Sequence, residues 1–172
     1  IKSVTNGNNL VIISPRRMGK TGLIQFCYDK SEIADEYYTF FIDILHTSSL
    51  REFTYLLGRE IYETLLPRSR KMADLFIQTI KSISGKFGFD PITGMPTFNV
   101  ELGDIDRPEY TLDEIFQYLG HADKPCIVAI DEFQQIAKYP EKNIEAQLRT
   151  HIQKLRNCNF IFAGSERHMM QE

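Results

Sequence analysis

Lys20 and Thr21, with Gly19 before them and Gly22 after, close the run Ser14-Pro15-Arg16-Arg17-Met18-Gly19-Lys20-Thr21. An ammonium and a hydroxyl side by side after a glycine suit a loop that wraps phosphate. Successive backbone N–H groups face the anion, and the N-terminus of a following helix adds its partial positive charge. In this reading Pro15, Arg16, Arg17, Met18, Gly19, Lys20, Thr21 and Gly22 form the nucleotide-binding segment. Lys20 reaches the β- and γ-phosphates of ATP, and the Thr21 hydroxyl binds Mg²⁺. Gly19 permits the close approach of the backbone. Ser14 stands where the pattern GxxxxGK[ST] asks for glycine, so the bare motif also admits a chance Gly-Lys-Thr at a helix start.

A second constellation lies far along the chain. Cys126-Ile127-Val128-Ala129-Ile130 is an apolar run that ends in the adjacent carboxylates Asp131 and Glu132. In a parallel sheet the carboxyl end of each strand faces the ligand crevice, the edge that also carries a phosphate loop. Asp131 then holds Mg²⁺ together with Thr21, and Glu132 is the candidate base for an attacking water. The alternative is a surface turn with two solvated acids. A third strand-like run ends in Ala163-Gly164-Ser165-Glu166-Arg167. Ser165 is its candidate γ-phosphate sensor, with Glu166 and Arg167 behind it, and a plain turn is the competing reading.

The elements that must position these residues alternate between strand and helix, which argues for an α/β domain with a mainly parallel sheet. Strands are expected at 10–13, 38–44, 126–130 and 160–163. Leu23, Ile24, Cys27 and Tyr28 recur at helical spacing, as do Phe53, Leu57 and Ile61. Met72, Leu75, Phe76, Ile80 and Ile83 read as a further helix, and Ile144, Leu148, Ile152 and Leu155 as a long one. Ser49 with Glu52, and Thr111 with Glu114, have the spacing of capping boxes at helix starts. Between 86 and 102 the rhythm breaks. Phe87 and Phe89, then Phe98, Val100 and Leu102, alternate around Asp90-Pro91-Ile92-Thr93-Gly94-Met95-Pro96, which predicts an inserted β-hairpin. Its aromatic residues offer a surface for a protein partner, or simply cover the neighbouring helices.

The chain has 172 residues, 42% hydrophobic and 25% charged, which fits one domain over 1–172 with a substantial core. A net charge of −3 gives no global case for nucleic acid or an anionic membrane, although Arg68, Arg70 and Lys71 make a local basic cluster. No apolar run approaches the roughly 18 residues that cross a bilayer. Three cysteines, odd in number and without a CxxC pair, read as reduced and mostly buried, which points to the cytoplasm. The four histidines show no metal-ligand spacing. No NKxD-type guanine reader and no LSGGQ-like segment is present, against a GTPase and an ABC transporter subunit. The first residue is Ile, as expected of a fragment.

Taken together, Pro15-Arg16-Arg17-Met18-Gly19-Lys20-Thr21, Ile130-Asp131-Glu132-Phe133-Gln134 and Gly164-Ser165 resemble the archaeal-type family of predicted ATPases, related to the STAND branch of AAA+ proteins and also found in bacteria. The resemblance implies a three-layer αβα P-loop NTPase fold, with strands ordered 5-1-4-3-2 and ATP at the carboxyl edge. It implies Lys20 and Thr21 on phosphate and metal, Asp131 on the metal, Glu132 as base and Ser165 as sensor. It further implies an enzyme that hydrolyses ATP to drive or switch a partner, or a nucleotide-dependent scaffold with little turnover. Ser14 departs from the family pattern. The family's Gly-Arg-Glu element before the first strand, and the fifth strand, lid and winged-helix module after the last, are not in this sequence. Nucleic-acid contact is expected only through that absent module, and a protein partner or second copy through the missing segments or the hairpin.

Overall fold

The strand Cys126–Asp131 organises the molecule, and each of its six residues is buried. Such a strand must be covered on both faces, and period-two alternation divides its side chains between two cores. Cys126, Val128 and Ile130 join the larger apolar cluster, whereas Ile127 and Ala129 join a smaller one. A computed structural model describes residues 9–13 and 19–165 of the chain. Within it the strands are β1 (Leu10–Ile13), β2 (Tyr38–Asp43), β3 (Gly88–Phe89), β4 (Pro96–Thr97), β5 (Cys126–Asp131) and β6 (Cys158–Gly164). The main sheet runs β1-β6-β5-β2, and every neighbouring pair is parallel. This is the 1-4-3-2 part of the order implied by the family resemblance. All carboxyl ends therefore share one edge.

Among the described residues six α-helices accompany the strands: α1 (Lys20–Tyr28), α2 (Ser31–Ala34), α3 (Leu50–Leu65), α4 (Arg70–Thr79), α5 (Pro108–Gly120) and α6 (Ile144–Lys154). Ile24, Tyr28 and Ile33 bring α1 and α2 onto the face of Ile127, Ala129, Ile161 and Ala163. The other helices cover the opposite face through the larger cluster, in which Phe53, Leu57, Phe76, Ile115 and Leu148 meet Phe40, Val128 and Phe160. Two helical layers thus enclose the sheet. Cys126 and Cys158 are buried and lie opposite one another in the β5–β6 register, while Cys27 is half-buried; all three thiols are free.

Helix starts follow local chemistry only in part. Ser49 caps α3 by accepting from the Glu52 N–H at 3.3 Å. The Glu52 carboxylate reaches back one residue further than a reciprocal box requires, accepting from the N–H of Ser48 and, at 2.7 Å, from its hydroxyl. The second expected box is overturned. The helix α5 begins at Pro108, whose fixed φ and missing N–H suit a first turn, so Thr111 and Glu114 lie inside it. Both are buried and serve a tertiary purpose. Glu114 accepts from the N–H groups of Lys81 and Ser82 at 2.9 and 3.2 Å, and the Thr111 hydroxyl meets that of Ser82 at 2.8 Å. The preceding helical stripe stops at Thr79, and Ile80 and Ile83 enter the core from the turn that Glu114 holds.

The hairpin is real but much shorter than its alternating aromatics predict. Only Gly88 with Thr97 and Phe89 with Pro96 pair. Asp90 closes the turn by accepting from Ile92 and Thr93, both at 2.8 Å. Phe87 and Phe98 leave the ladder to pack on Tyr62, with ring centroids 5.1 and 5.9 Å away. Burial of two rings outweighs the few ladder bonds that a longer hairpin would add. Phe89 is 67% exposed and Ile92 at the tip 92% exposed, so the covering role fits Phe87 and Phe98 but not Phe89. Leu102 lies in a 3₁₀ turn, Leu102–Asp104.

Candidate functional site

The alternation along β5 decides where its terminal carboxylate goes. Ile127 and Ala129 face α1, so Asp131, two residues on, falls on the same side. Ile161 and Ala163 put Ser165 on that side by the same count along β6. The first turn of α1 supplies the partners. Gly19 occupies the N-cap in the left-handed region, at φ 82°, where glycine carries little steric cost. Lys20 is buried, and its Nζ lies 3.5 Å from Asp131 Oδ1 and 3.4 Å from Glu132 Oε1. The Thr21 hydroxyl donates to Asp131 Oδ2 at 3.2 Å. Gly22 follows in the first turn of the helix, where a Cβ would meet nothing within 4 Å.

Glu132 also adopts the left-handed region, at φ 57° and ψ 41°. That conformation disfavours a side-chain-bearing residue by roughly 1–2 kcal/mol. It turns the chain sharply out of the strand, and the Glu132 N–H donates back to Asp131 Oδ1 at 2.9 Å. The two adjacent carboxylates consequently share the Lys20 ammonium while presenting different oxygens. Asp131 is turned to Thr21, and Glu132 is turned to the end of β6. A buried cation between two acids is worth little as a net stabiliser, because its desolvation offsets the attraction. Loss of one member is costly, since the ion-pair attraction goes while the desolvation of the remaining charges stays.

Gln134, present in the sequence as the last residue of the Ile130-Asp131-Glu132-Phe133-Gln134 motif but given no role there, completes the cluster. Glu132 Oε2 accepts from Gln134 Nε2 at 2.5 Å and from the Ser165 hydroxyl at 3.4 Å, and Gln134 Nε2 also donates to Ser165 Oγ at 3.4 Å. Gln134 lies in the 3₁₀ turn Phe133–Lys138 that the Glu132 conformation launches, and it is 7% exposed. Its Oε1 is buried without a hydrogen-bond partner among the described residues, an arrangement that costs on the order of 1–3 kcal/mol.

Lys20, Thr21, Asp131, Glu132 and Ser165 are thus brought together, as their spacing in the sequence leads one to expect. Ser14, Pro15, Arg16, Arg17 and Met18, and Glu166 and Arg167, lie outside the described residues. Among the described residues no group of three or more His, Cys, Asp or Glu could hold a metal ion. The pair Thr21 Oγ1 and Asp131 Oδ2 nonetheless offers hard oxygen donors side by side. That small set fits Mg²⁺, which uses one or two protein ligands and takes the rest from phosphate and water.

No protein-family model and no curated protein matches the chain. Solved structures do resemble it. The ORC1 protein of Aeropyrum pernix, solved in complex with DNA, superposes with a TM-score of 0.54 at 11% identity, over 95% of this chain and 34% of that one. The ADP form of the ORC2 protein of the same organism gives 0.52 at 14% identity, over 99% of this chain and 40% of that one. The chain therefore spans between a third and two-fifths of the length of these neighbours. At such identities the likeness establishes the fold: an α/β, P-loop NTPase-like arrangement with a mainly parallel sheet and a small antiparallel hairpin. No described helix is long and apolar enough to cross a membrane.

Proposed function

We propose that this chain is the core of a Mg²⁺-dependent P-loop ATPase of the AAA+ and STAND type, hydrolysing ATP to ADP and phosphate to drive or switch a partner. The observation that carries the reading is the meeting of Lys20 and Thr21 with Asp131 and Glu132, at 3.2 to 3.5 Å, on the carboxyl edge of a parallel sheet. Few functions other than phosphate chemistry call for an ammonium, a hydroxyl and two acids there.

In this reading Pro15, Arg16, Arg17, Met18, Gly19 and Gly22 wrap the phosphates, and Lys20 exchanges its carboxylate partners for β- and γ-phosphate oxygens. Thr21 and Asp131 hold Mg²⁺, which when bound neutralises charge developing on the phosphates. Glu132, losing Lys20 as a partner, takes a proton from the water that attacks the γ-phosphorus. The bond to the β-phosphate oxygen breaks and the leaving charge rests on ADP. Ser165, beside Glu132, orients that water or senses the γ-phosphate.

A second reading, a switch with slow turnover, draws support from the same Lys20–Glu132 contact, because a base engaged by the phosphate-binding lysine stays inactive until nucleotide arrives. The exposed hairpin tip, with Phe89 and Ile92, is the proposed surface for a protein partner or a second copy. Replacing Phe89 with Ser should cost assembly and leave the fold intact. Free thiols suit the reducing interior of a cell.

Calorimetric titration of ATP with Mg²⁺ into the wild type and Lys20→Ala tests the proposal, followed by phosphate release from the wild type and Glu132→Gln. Binding lost in the first variant and turnover lost in the second is the expected result. A wild type that binds no ATP overturns it.

A further inference from the structure

We infer that Gln134 is a positioning residue for Glu132, tying the carboxylate to the end of β6 through Ser165; the inference rests on the proposed ATPase reading. Three observations converge. A carboxylate accepts and never donates, so only the NH₂ end of the amide can face Glu132 Oε2, which fixes the orientation of the side chain. The two Nε2 hydrogens then have two acceptors, Glu132 Oε2 at 2.5 Å and Ser165 Oγ at 3.4 Å, while the Ser165 hydroxyl gives its own hydrogen to the same Glu132 oxygen. The triangle is closed with every donor used.

The third observation is the cost of the arrangement. Gln134 is more than nine-tenths buried and its Oε1 has no partner among the described residues. An apolar side chain of the same length would fill this space without leaving an acceptor unpaired. Packing therefore does not account for an amide here, whereas two directed donors do.

The division of labour between the carboxylate oxygens gives the triangle its purpose. Lys20 contacts Oε1, and Gln134 with Ser165 holds Oε2. When Lys20 turns to phosphate, the grip on Oε2 persists and keeps the carboxylate plane fixed as its other oxygen changes partner. Because Ser165 directly follows β6, the strand that separates β1 from β5, a shift at either end of the triangle is felt at the base.

The test uses Gln134→Met, which keeps the volume and removes both donors, with Gln134→Leu as a second variant should the first fold poorly. The Kd and KM for ATP should stay within about threefold of the wild type while kcat falls by about tenfold to a hundredfold. In a Glu132→Gln background the same substitution should cost nothing further, since the group it positions has already lost its function. An independent readout needs no nucleotide. In a ¹⁵N spectrum the Gln134 side-chain amide, identified by its loss in Gln134→Met, should be protected from solvent exchange and should move in both Glu132→Ala and Ser165→Ala. Unchanged kcat in a wild type that hydrolyses ATP overturns this inference alone, as does an unprotected amide that ignores both substitutions. A wild type that binds no ATP, or binds it without turnover, overturns the role together with the ATPase reading.

Discussion

The Thr21 hydroxyl donates to Asp131 Oδ2 at 3.2 Å, joining the first turn of α1 to the end of β5 across 110 residues of chain. One helix start and one strand end are thereby locked in register without any ligand. Beside this bond, the Lys20 ammonium lies between Asp131 and Glu132.

Lys20→Ala should therefore do more than abolish nucleotide binding. With the cation gone, Asp131 and Glu132 lose the ion pairs they share while their like charges stay adjacent, and stability should fall by about 3 kcal/mol or less. Thermal unfolding without nucleotide, run beside the titration, checks this. An unchanged Tm would mean that water already screens the pair.

Glu132→Gln should leave ATP binding intact and lower hydrolysis by about a hundredfold or more, the usual worth of a general base. Single-turnover phosphate release separates the two effects. Glu132→Val should also unfold more readily, because a β-branched residue is strained at φ 57°.

The candidate site was legible where sheet topology controls it. Asp131 and Ser165 follow from standing at the carboxyl ends of their strands, which a parallel sheet gathers on one edge. Gly19, Lys20 and Thr21 follow from the need for a helix N-terminus at an anion. Gln134 was visible as the end of the Ile130-Asp131-Glu132-Phe133-Gln134 motif, but its role was not: its place depends on the left-handed turn at Glu132 and the 3₁₀ turn behind it. Thr111 and Glu114 mislead for a related reason. Their spacing matches a local cap, but the backbone N–H groups of Lys81 and Ser82 claim the carboxylate instead. The hairpin was visible as an interruption, while its length was set by the pull of Tyr62 and Phe76 on Phe87 and Phe98.

Glu114→Ala should destabilise the fold without touching the ATP site. It removes the side-chain acceptor of the Ser82 N–H and one of two acceptors of the Lys81 N–H, and a loss of about 1–2 kcal/mol is expected. Urea unfolding should show a lower midpoint, with ATP affinity of the folded fraction unchanged.

Alkaline pH should unfold the chain. Burial pushes the Cys126 thiol from 9.0 up to about 12 and the Tyr139 phenol from 10.0 up to about 12. The Cys158 thiol and the Tyr28 and Tyr118 phenols are raised as well, again chiefly by burial. A raised folded-state value means that the folded protein holds its proton more tightly than the unfolded chain. Stability is thus complete below about pH 9 and drains away as pH climbs toward 12. Circular dichroism across that window should record the loss, and native labelling at neutral pH should modify Cys27 while sparing Cys126 and Cys158.

The two cores on either side of the sheet are unequal, and the helix that bears Lys20 and Thr21 rests on the smaller. Ile24, Tyr28 and Ile33 are the buried residues anchoring that layer, while Leu23 and Phe26 of the same helix stand more than half exposed. Sub-global opening should accordingly begin there, with amides of α1 exchanging well before those of β5. A ligand that bridges Lys20 and Thr21 to Asp131 would act as a clamp on this layer, so the occupant of the site would also finish the architecture that receives it.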